Sequence, residues 1–521
     1  MLSRPAMRLP RPRMGQFQMP APVGGLNLRD SIAQMPGTDA LVLNNWVPQD
    51  SYLELRGGHA SHATGVGSTV RGFLLWAAPN GTQRLFAASQ TALYNVSSAG
   101  AVGAAVRSGM SNLNINGINF TTSGGSYLVS VNGVDPMLVY NGSSFSEPSI
   151  TGYPSNDFIY VHSHKSRLWF AAIASTKAYY LEPSAIAGPA AEFEVGNQFT
   201  KGGYLVGIGT ISRDGGQAGS DDLLAFISSR GEVVVYEGDD PASAATWNRL
   251  GIYSASPPIQ RRFLVTIGGD LSILTETGII SGRQLMMGDR IAAERTAITD
   301  KINRGLKAAF ASYGSNAGWQ LTYYARASLL MINIPTSSST ASQYVMNTRT
   351  GAWSTFSGLN GTSWAYLNED PYFGNSLGTV YRADYGKQDL GSAITTEMKP
   401  AFQRLNGGGL FRMTKIRPNF TAGNTISPGI KVDVDYRDST PAIPTDQFPA
   451  YASATGSIYG SGAWGTNLWA ASLAGNPFAN WIDASAIGNA AAIHMVTSTD
   501  GFNVILNAID VQFEKAQGLA L

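Results

Sequence analysis

Between residues 70 and 400 the chain repeats one local pattern: an apolar run, a polar turn, and a second apolar run ending on a large side chain. The copies are RLFAASQTALYN (84–95), SYLVSVNGVDPMLVYNG (126–142), SRLWFAAIASTKAYYLEP (166–183), DLLAFISSRGEVVVYEGDD (222–240), DLSILTETGIISGRQL (270–285), SLLMINIPTSSSTASQYVMNTRTGAW (328–353) and PYFGNSLGTVYRADYG (371–386). Five of the second runs end near a tyrosine: Tyr94, Tyr140, Tyr180, Tyr236 and Tyr381. Short apolar runs bounded by Gly, Asn, Asp and Ser are strand signals, so each copy reads as a β-hairpin. A lone hairpin cannot bury both of its faces. Recurrence at roughly 40–50 residues, the length of a four-stranded blade, therefore predicts a β-propeller of about six to eight blades. Radial packing would cover the faces and leave only short edges open. In NTRTGAW (347–353), Gly351 can take the positive φ of a tight turn, and Trp353 can fold over a blade edge.

The flanks read differently. Residues 1–22 carry Arg4, Arg8, Arg11 and Arg13 without an acid, interleaved with Pro5, Pro10, Pro12, Pro20 and Pro22. Such a segment forms no core, and a flexible basic, proline-rich arm is expected, either a free tail or an arm that orders on a neighbouring subunit or near DNA. Residues 23–60 alternate turn signals with Leu26, Leu28, Leu41, Leu43, Trp46, Leu53 and Leu55, and read as an ordered entry segment. The propeller is assigned to 61–400. Within it, ITDKINRGLKAAFASY (298–313) predicts an inserted helix: Thr299 is placed to cap it, Asp300 favours its N-terminus, and Ile302, Leu306 and Phe310 share a face. From 401 to 521 the strands lengthen (411–420, 430–438 and 502–516) around a Gly/Ala/Ser/Trp-rich stretch, and a separate C-terminal antiparallel β-sandwich domain is expected.

Composition limits the functions open to such a chain. With 59 Gly, 25 Pro and only 14% charged residues, the balance favours short strands joined by turns. The 36 Lys and Arg against 35 Asp and Glu leave a formal charge of +1, without the strong basic field of a protein that grips nucleic acid. There is no cysteine, which excludes disulfides, thiolate nucleophiles and Cys-ligated zinc. No apolar run approaches the roughly 20 residues of a membrane span, and the proline-broken N-terminus has no apolar signal core, so neither a membrane nor a secretory route is expected. The Asn-x-Ser/Thr triplets at Asn80, Asn141 and Asn360 are read as turns.

Near-matches to catalytic motifs also resolve into structure. GNSLG (374–378) fits a nucleophile elbow at Ser376, but the residues that follow have strand character where that motif needs a helix, so a hairpin turn is expected. GSGAWG (460–465) has dinucleotide-loop spacing without a surrounding βαβ unit, and reads as a loop. His162 and His164 share one strand face but lack a third ligand, so they are expected on a surface strand. Asp433 and Asp435 lack the glycine and terminal Glu of a calcium loop and read as a solvated strand face. The pairs Asp221/Asp222 and Asp239/Asp240 sit at strand boundaries and read as turns. No catalytic, cofactor-binding or metal-binding residue is assigned, no cofactor is expected, and the chain is read as a structural protein and not an enzyme.

The opening GGLNLRDSIAQMPGTDALVLNNWVPQDSYLELRGG, with Gly24, Gly25 and Leu26, then Asn45, Trp46 and Pro48, then Arg56, Gly57 and Gly58, resembles the start of the tail nozzle (tail-hub or tubular) proteins of short-tailed bacteriophages. The ending LNAIDVQFEKAQG (506–518) resembles their closing strand. The resemblance implies a virion tail protein, assembled in the host cytoplasm into a homo-oligomeric ring of six copies below the head-to-tail adaptor. That ring would continue the DNA channel, retain the genome and take part in its ejection, in contact with tail needle, fibre or tailspike proteins and, transiently, with passing double-stranded DNA. Two other readings stay open on the residues alone. One is a carbohydrate-binding or glycan-cleaving propeller, motivated by the Trp and Tyr content and the turn acids. The other is a propeller that only scaffolds other proteins.

Overall fold

The computed structural model describes residues 13–213, 222–288, 297–424, 426, 428–437 and 481–515, and the chain is mainly β with many small sheets. It divides into two compact units. A central unit holds His59–Arg349 and Phe356–Tyr385, and a terminal unit gathers Met1–Gly58, Thr350–Thr355 and Gly386–Leu521.

In the central unit seven sets of antiparallel strands, each called a sheet, follow one another along the chain, the sixth being part of a nine-stranded sheet. The first runs through Val70–Ala77, Gln83–Ser89, Ala92–Asn95 and Arg107–Ser108, and the second through Asn116–Thr122, Gly125–Val131, Leu138–Tyr140 and Phe145–Ser146. The third uses Phe158–His164, Arg167–Ala172, Lys177–Tyr180 and Ala191–Glu194, and the fourth Leu205–Ile211, Leu223–Ser228, Glu232–Gly238 and Trp247–Ser254. The fifth has Leu264–Ile267, Asp270–Thr275 and Gly278–Ser281, and the sixth contains Gln320–Tyr324, Leu329–Pro335 and Ala341–Asn347. The seventh, Ser363–Leu367, Asp370–Gly374 and Val380–Ala383, is extended by a strand from the start of the unit, His59–Thr64, which pairs antiparallel with Val380–Ala383.

Each of the seven hairpins read from the sequence supplies the second and third strands of one sheet. What the repeat did not reveal is the strand before each hairpin, such as NGINFTT (116–122), whose alternation of polar and apolar residues is too weak to stand out. The side chains of the hairpin strands alternate between two cores. Phe86, Ala88 and Leu93 of the first sheet join Leu128, Leu138 and Tyr140 of the second. The alternate residues Leu85 and Ala87 join Ala63, Leu367, Tyr372 and Val380 of the seventh. Val129, Val131 and Val139 then meet Phe158, Leu168, Phe170 and Tyr179, while Trp169, Ala171 and Tyr180 meet Leu224, Phe226, Tyr236 and Trp247. Strands buried on both faces explain why these runs are nearly unbroken in apolar character. Contact continues through the fifth and sixth sheets to the seventh, whose strands also pack against the first.

The expected helix exists as a 3-10 turn, Asp300–Ile302, followed by the α-helix Asn303–Tyr313, with Leu306 buried. Thr299 does not cap it. Its buried hydroxyl accepts the Ile279 N–H at 3.0 Å and is hydrogen-bonded to the Asn303 side chain, which ties the helix start to the fifth sheet. A second, shorter helix, Gly282–Met287, begins where the hairpin reading had continued; Ser281 caps it by accepting the Gln284 N–H. Gly351 takes φ +72°, as its turn requires.

The terminal unit is assembled from distant segments. One sheet runs Ile482–Gly488, Phe411–Ala422, Val504–Lys515, Leu53–Leu55 and Trp46–Pro48. Part of the expected flexible arm is ordered on it: Arg13–Pro20 pairs in antiparallel register with the strand Val504–Lys515, from Arg13 opposite Lys515 to Pro20 opposite Ala508. Backbone hydrogen bonding to a sheet edge needs no apolar core of its own, which is why composition alone pointed to a loose arm. A second sheet runs Ala352–Phe356, Asp39–Asn44, Ile394–Pro400, Ala491–Thr499 and Gly429–Val434, with Gly25–Leu26 parallel to Asp39–Asn44. The entry segment and the C-terminal strands thus belong to one unit, which also takes in Ile394–Pro400, placed by the sequence reading at the end of the propeller.

Candidate functional site: an arginine-lined cleft

The residues singled out in the sequence are distributed through both units. Asn375, at the GNSLG turn, accepts the Leu377 and Thr379 N–H groups at 3.0 and 2.9 Å, closing a hairpin around Ser376. Asn80 and Asn141 do the same, accepting N–H groups of Thr82 and of Ser143 and Ser144. Asp239 and Asp240 pair with Lys165 and Arg167, and Asp222 accepts the Ser212 hydroxyl. Asp221 and GSGAWG lie outside the described residues.

Two expectations fail because of burial. His162 and His164 are not on a surface strand. Both rings lie between the third and fourth sheets on the Thr210 hydroxyl, at 2.9 and 3.0 Å. Burial pushes His162 down to about 4 and His164 to about 3, so both are neutral at pH 7. Asp433 is not solvated either: it forms an ion pair with Lys399 at 2.6 Å, each side chain 3% exposed, on the sheet that also holds His494, 2.8 Å from Glu397. Asp435 falls just past the strand end at φ +51° and accepts the Asn489 N–H. Among the described residues no group of three or more His, Cys, Asp or Glu could hold a metal ion.

The opening motif is architectural in detail. Gly25 has φ +78°, and an added Cβ would lie 2.6 Å from the Trp353 backbone. Asn45, at φ +60°, donates to the Thr395 carbonyl and accepts from Arg56 Nε at 2.8 Å. Arg56, 2% exposed, also pairs with Asp389 at 2.6 Å, beside Gly58, where a Cβ would meet the Gln388 carbonyl at 1.9 Å. Trp46 is buried. The motif residues therefore join the entry segment to the segment that follows residue 385.

One concave feature of the central unit was not foreseen. A cleft of about 510 Å³ is lined by residues that include Arg71, Arg261, Arg262, Asn112, Asn114 and Gln260, and no Asp or Glu is in its lining. Two of its arginines come from IQRRF (259–263), the one Arg-Arg dipeptide in the chain and the only signal in the sequence that could have marked it. Arg262 donates to Ser363 Oγ of the seventh sheet at 2.7 Å and to the Arg71 carbonyl of the first. Arg261 donates to the Asn132 carbonyl at 3.1 Å, next to the second sheet. Gln260, at φ +53°, holds the turn by donating to the Gly314 and Asn316 carbonyls at 3.2 and 2.6 Å. Loss of hydration pushes Arg262 down to about 10 and lowers Arg261 for the same reason, though both stay charged at neutral pH. Asp135, which shares Asn132 with this cluster, is turned onto the Asn132 amide and the Ser111 N–H.

No family model matches the chain, and no curated protein matches it. Among solved structures, the extracellular domain of a hybrid two-component system from B. thetaiotaomicron is similar with a TM-score of 0.39 and 13% identity, over 62% of this chain and 39% of that one. BBS1N, solved in complex with ARL6DN, gives 0.39 and 10% over 63% and 97%. BamB from Moraxella catarrhalis gives 0.34 and 10% over 71% and 97%. Likeness this slight carries no argument on what the chain does.

Proposed function

We propose that the central unit is a seven-bladed β-propeller and that the chain is a structural subunit of a bacteriophage short tail. In this reading six copies form a ring below the head-to-tail adaptor, continue the DNA channel, retain the genome and take part in its ejection. The observation that carries the proposal is the use made of the opening motif. Gly25, Asn45, Trp46, Arg56 and Gly58, which carry the resemblance to tail nozzle proteins, are buried, positively twisted or ion-paired where the entry segment meets Trp353 and the segment after residue 385. Residues held for architecture in this way suit a family defined by its build. The seven sheets support the propeller: they follow in chain order, share alternating cores, and the strand His59–Thr64 completes the last sheet, so both ends of the series are tied together. The near-neutral charge suits a channel that must release DNA, because each phosphate contact would add to retention.

The aromatic residues that motivate a glycan reading are engaged in core stacks, Trp169 on Trp247 across the third and fourth sheets and Tyr236 on Trp247 within the fourth, with centroids 5.6 Å apart in both pairs. The tail reading predicts the chain in purified virions at a fixed ratio to the adaptor, and particles that fail to hold or deliver DNA when its gene is removed. Its absence from virions, with infection unchanged by the deletion, would refute the reading.

A further inference from the structure

We infer that the cleft of the central unit is a binding site for a small phosphate-bearing ligand, held by Arg71, Arg261 and Arg262. The inference stands on this unit alone and does not depend on the tail reading. Arg71, Arg261 and Arg262 line one concavity of about 510 Å³, and among the described residues none of them forms an ion pair with a carboxylate. A guanidinium has five N–H donors. Arg262 uses donors on Ser363 and the Arg71 carbonyl, and Arg261 one on the Asn132 carbonyl, which leaves the rest of each fork for a partner in the cleft. Burial strips hydration from Arg261 and Arg262 without supplying a counter-charge, and an oxyanion placed beside them relieves that cost.

The site is also built, in that its geometry is fixed from outside the cleft. Gln260 occupies the left-handed region, uncommon for a residue with a side chain, and its amide is tied to two carbonyls of the segment after the helix. That turn aims the two arginines away from their own sheet, toward the first, second and seventh. Around them the lining offers neutral hydrogen-bonding groups, Asn114 and Ser315 among them, suited to the hydroxyls of an organic phosphate. Phosphate is favoured over a lone carboxylate because its tetrahedral oxygens can meet several guanidinium forks at once. The volume is that of a small-molecule pocket and not of a duplex groove.

Isothermal titration calorimetry of the full chain with inorganic phosphate and with tripolyphosphate tests this, alongside a short DNA duplex and acetate. The expected result is saturable tripolyphosphate binding, tighter than phosphate and much tighter than acetate, and weakened about tenfold or more in R71Q and in R261Q. Arg262 also braces three sheets, so its substitution is not relied on; Arg71 donates no side-chain hydrogen bond within the described residues, and R71Q should fold as the parent does. R107Q, which alters only a surface pair with Glu147, should bind as the parent does. Absence of any saturable phosphate binding, equal binding by R71Q and R261Q, or binding of the DNA duplex alone would each overturn the inference.

Discussion

The central and terminal units reach a β-rich fold by opposite routes. In the central unit almost every strand pairs with its neighbour in sequence, and one long-range pairing, His59–Thr64 with Val380–Ala383, closes the series. In the terminal unit the main pairings join segments hundreds of positions apart, such as Asp39–Asn44 with Ile394–Pro400 and Arg13–Pro20 with Val504–Lys515. Local meanders need only alternating apolar side chains and good turns. Distant strands pay a larger loop-closure cost before any contact rewards it. The terminal unit accordingly holds its joints with specific buried polar groups, Arg56 with Asp389 and Lys399 with Asp433, where the central unit relies on aromatic and aliphatic cores.

That contrast can be broken most severely at Lys399. Lys399→Ala leaves Asp433 buried beside an absent partner and should cost about 3–5 kcal/mol, read by urea denaturation. Hydrogen exchange should quicken in Ala491–Thr499 and stay unchanged in Leu223–Ser228. Replacing both partners, Lys399→Met with Asp433→Leu, should recover most of the loss, since no lone charge is then left buried.

The polar exception inside the central unit gives the next effect. His162 and His164 are held neutral in the fold, with pKa values near 4 and 3, below the ordinary 6.5 of an unfolded chain. The unfolded state therefore binds more protons between these values, and the stability these histidines contribute is complete above pH 6.5 and lost as pH falls toward 4. Each should contribute a slope of about 1.4 kcal/mol per pH unit near pH 5. A double His162→Asn, His164→Asn variant should flatten the fall in Tm between pH 6 and pH 4.5, if measured against the parent in the same buffers.

Smaller effects distinguish turns from surface charge. Asn375→Ala removes the two hydrogen bonds that close the GNSLG hairpin and should cost about 1 kcal/mol in thermal unfolding. Arg107→Ala breaks only an exposed pair with Glu147 and should cost less than about 1 kcal/mol.

The same contrast explains what could be read from the chain. The seven hairpins were legible because each is contiguous and apolar on both strands; their partner strands were not, because residues such as Asn116, Gly117 and Asn119 break the pattern. In the terminal unit the strands near 411, 430 and 504 were legible as strands. Their union with Gly25, Asn45 and Arg56 was not, since pairing across 350 positions leaves no local trace. The histidine pair and Asp433 were misplaced at the surface because spacing gives the face of a strand and not what covers it. The cleft was invisible for a further reason: Arg71 and Arg261–Arg262 converge only when the seventh sheet returns to the first.

The central claim is that copies of this chain assemble into a ring around a channel. Electron microscopy of the purified full chain, alone and mixed with the head-to-tail adaptor proposed as its partner, tests it most directly. The account predicts closed rings with six-fold symmetry and an open centre, seated on the adaptor. A monomer in every condition would contradict it.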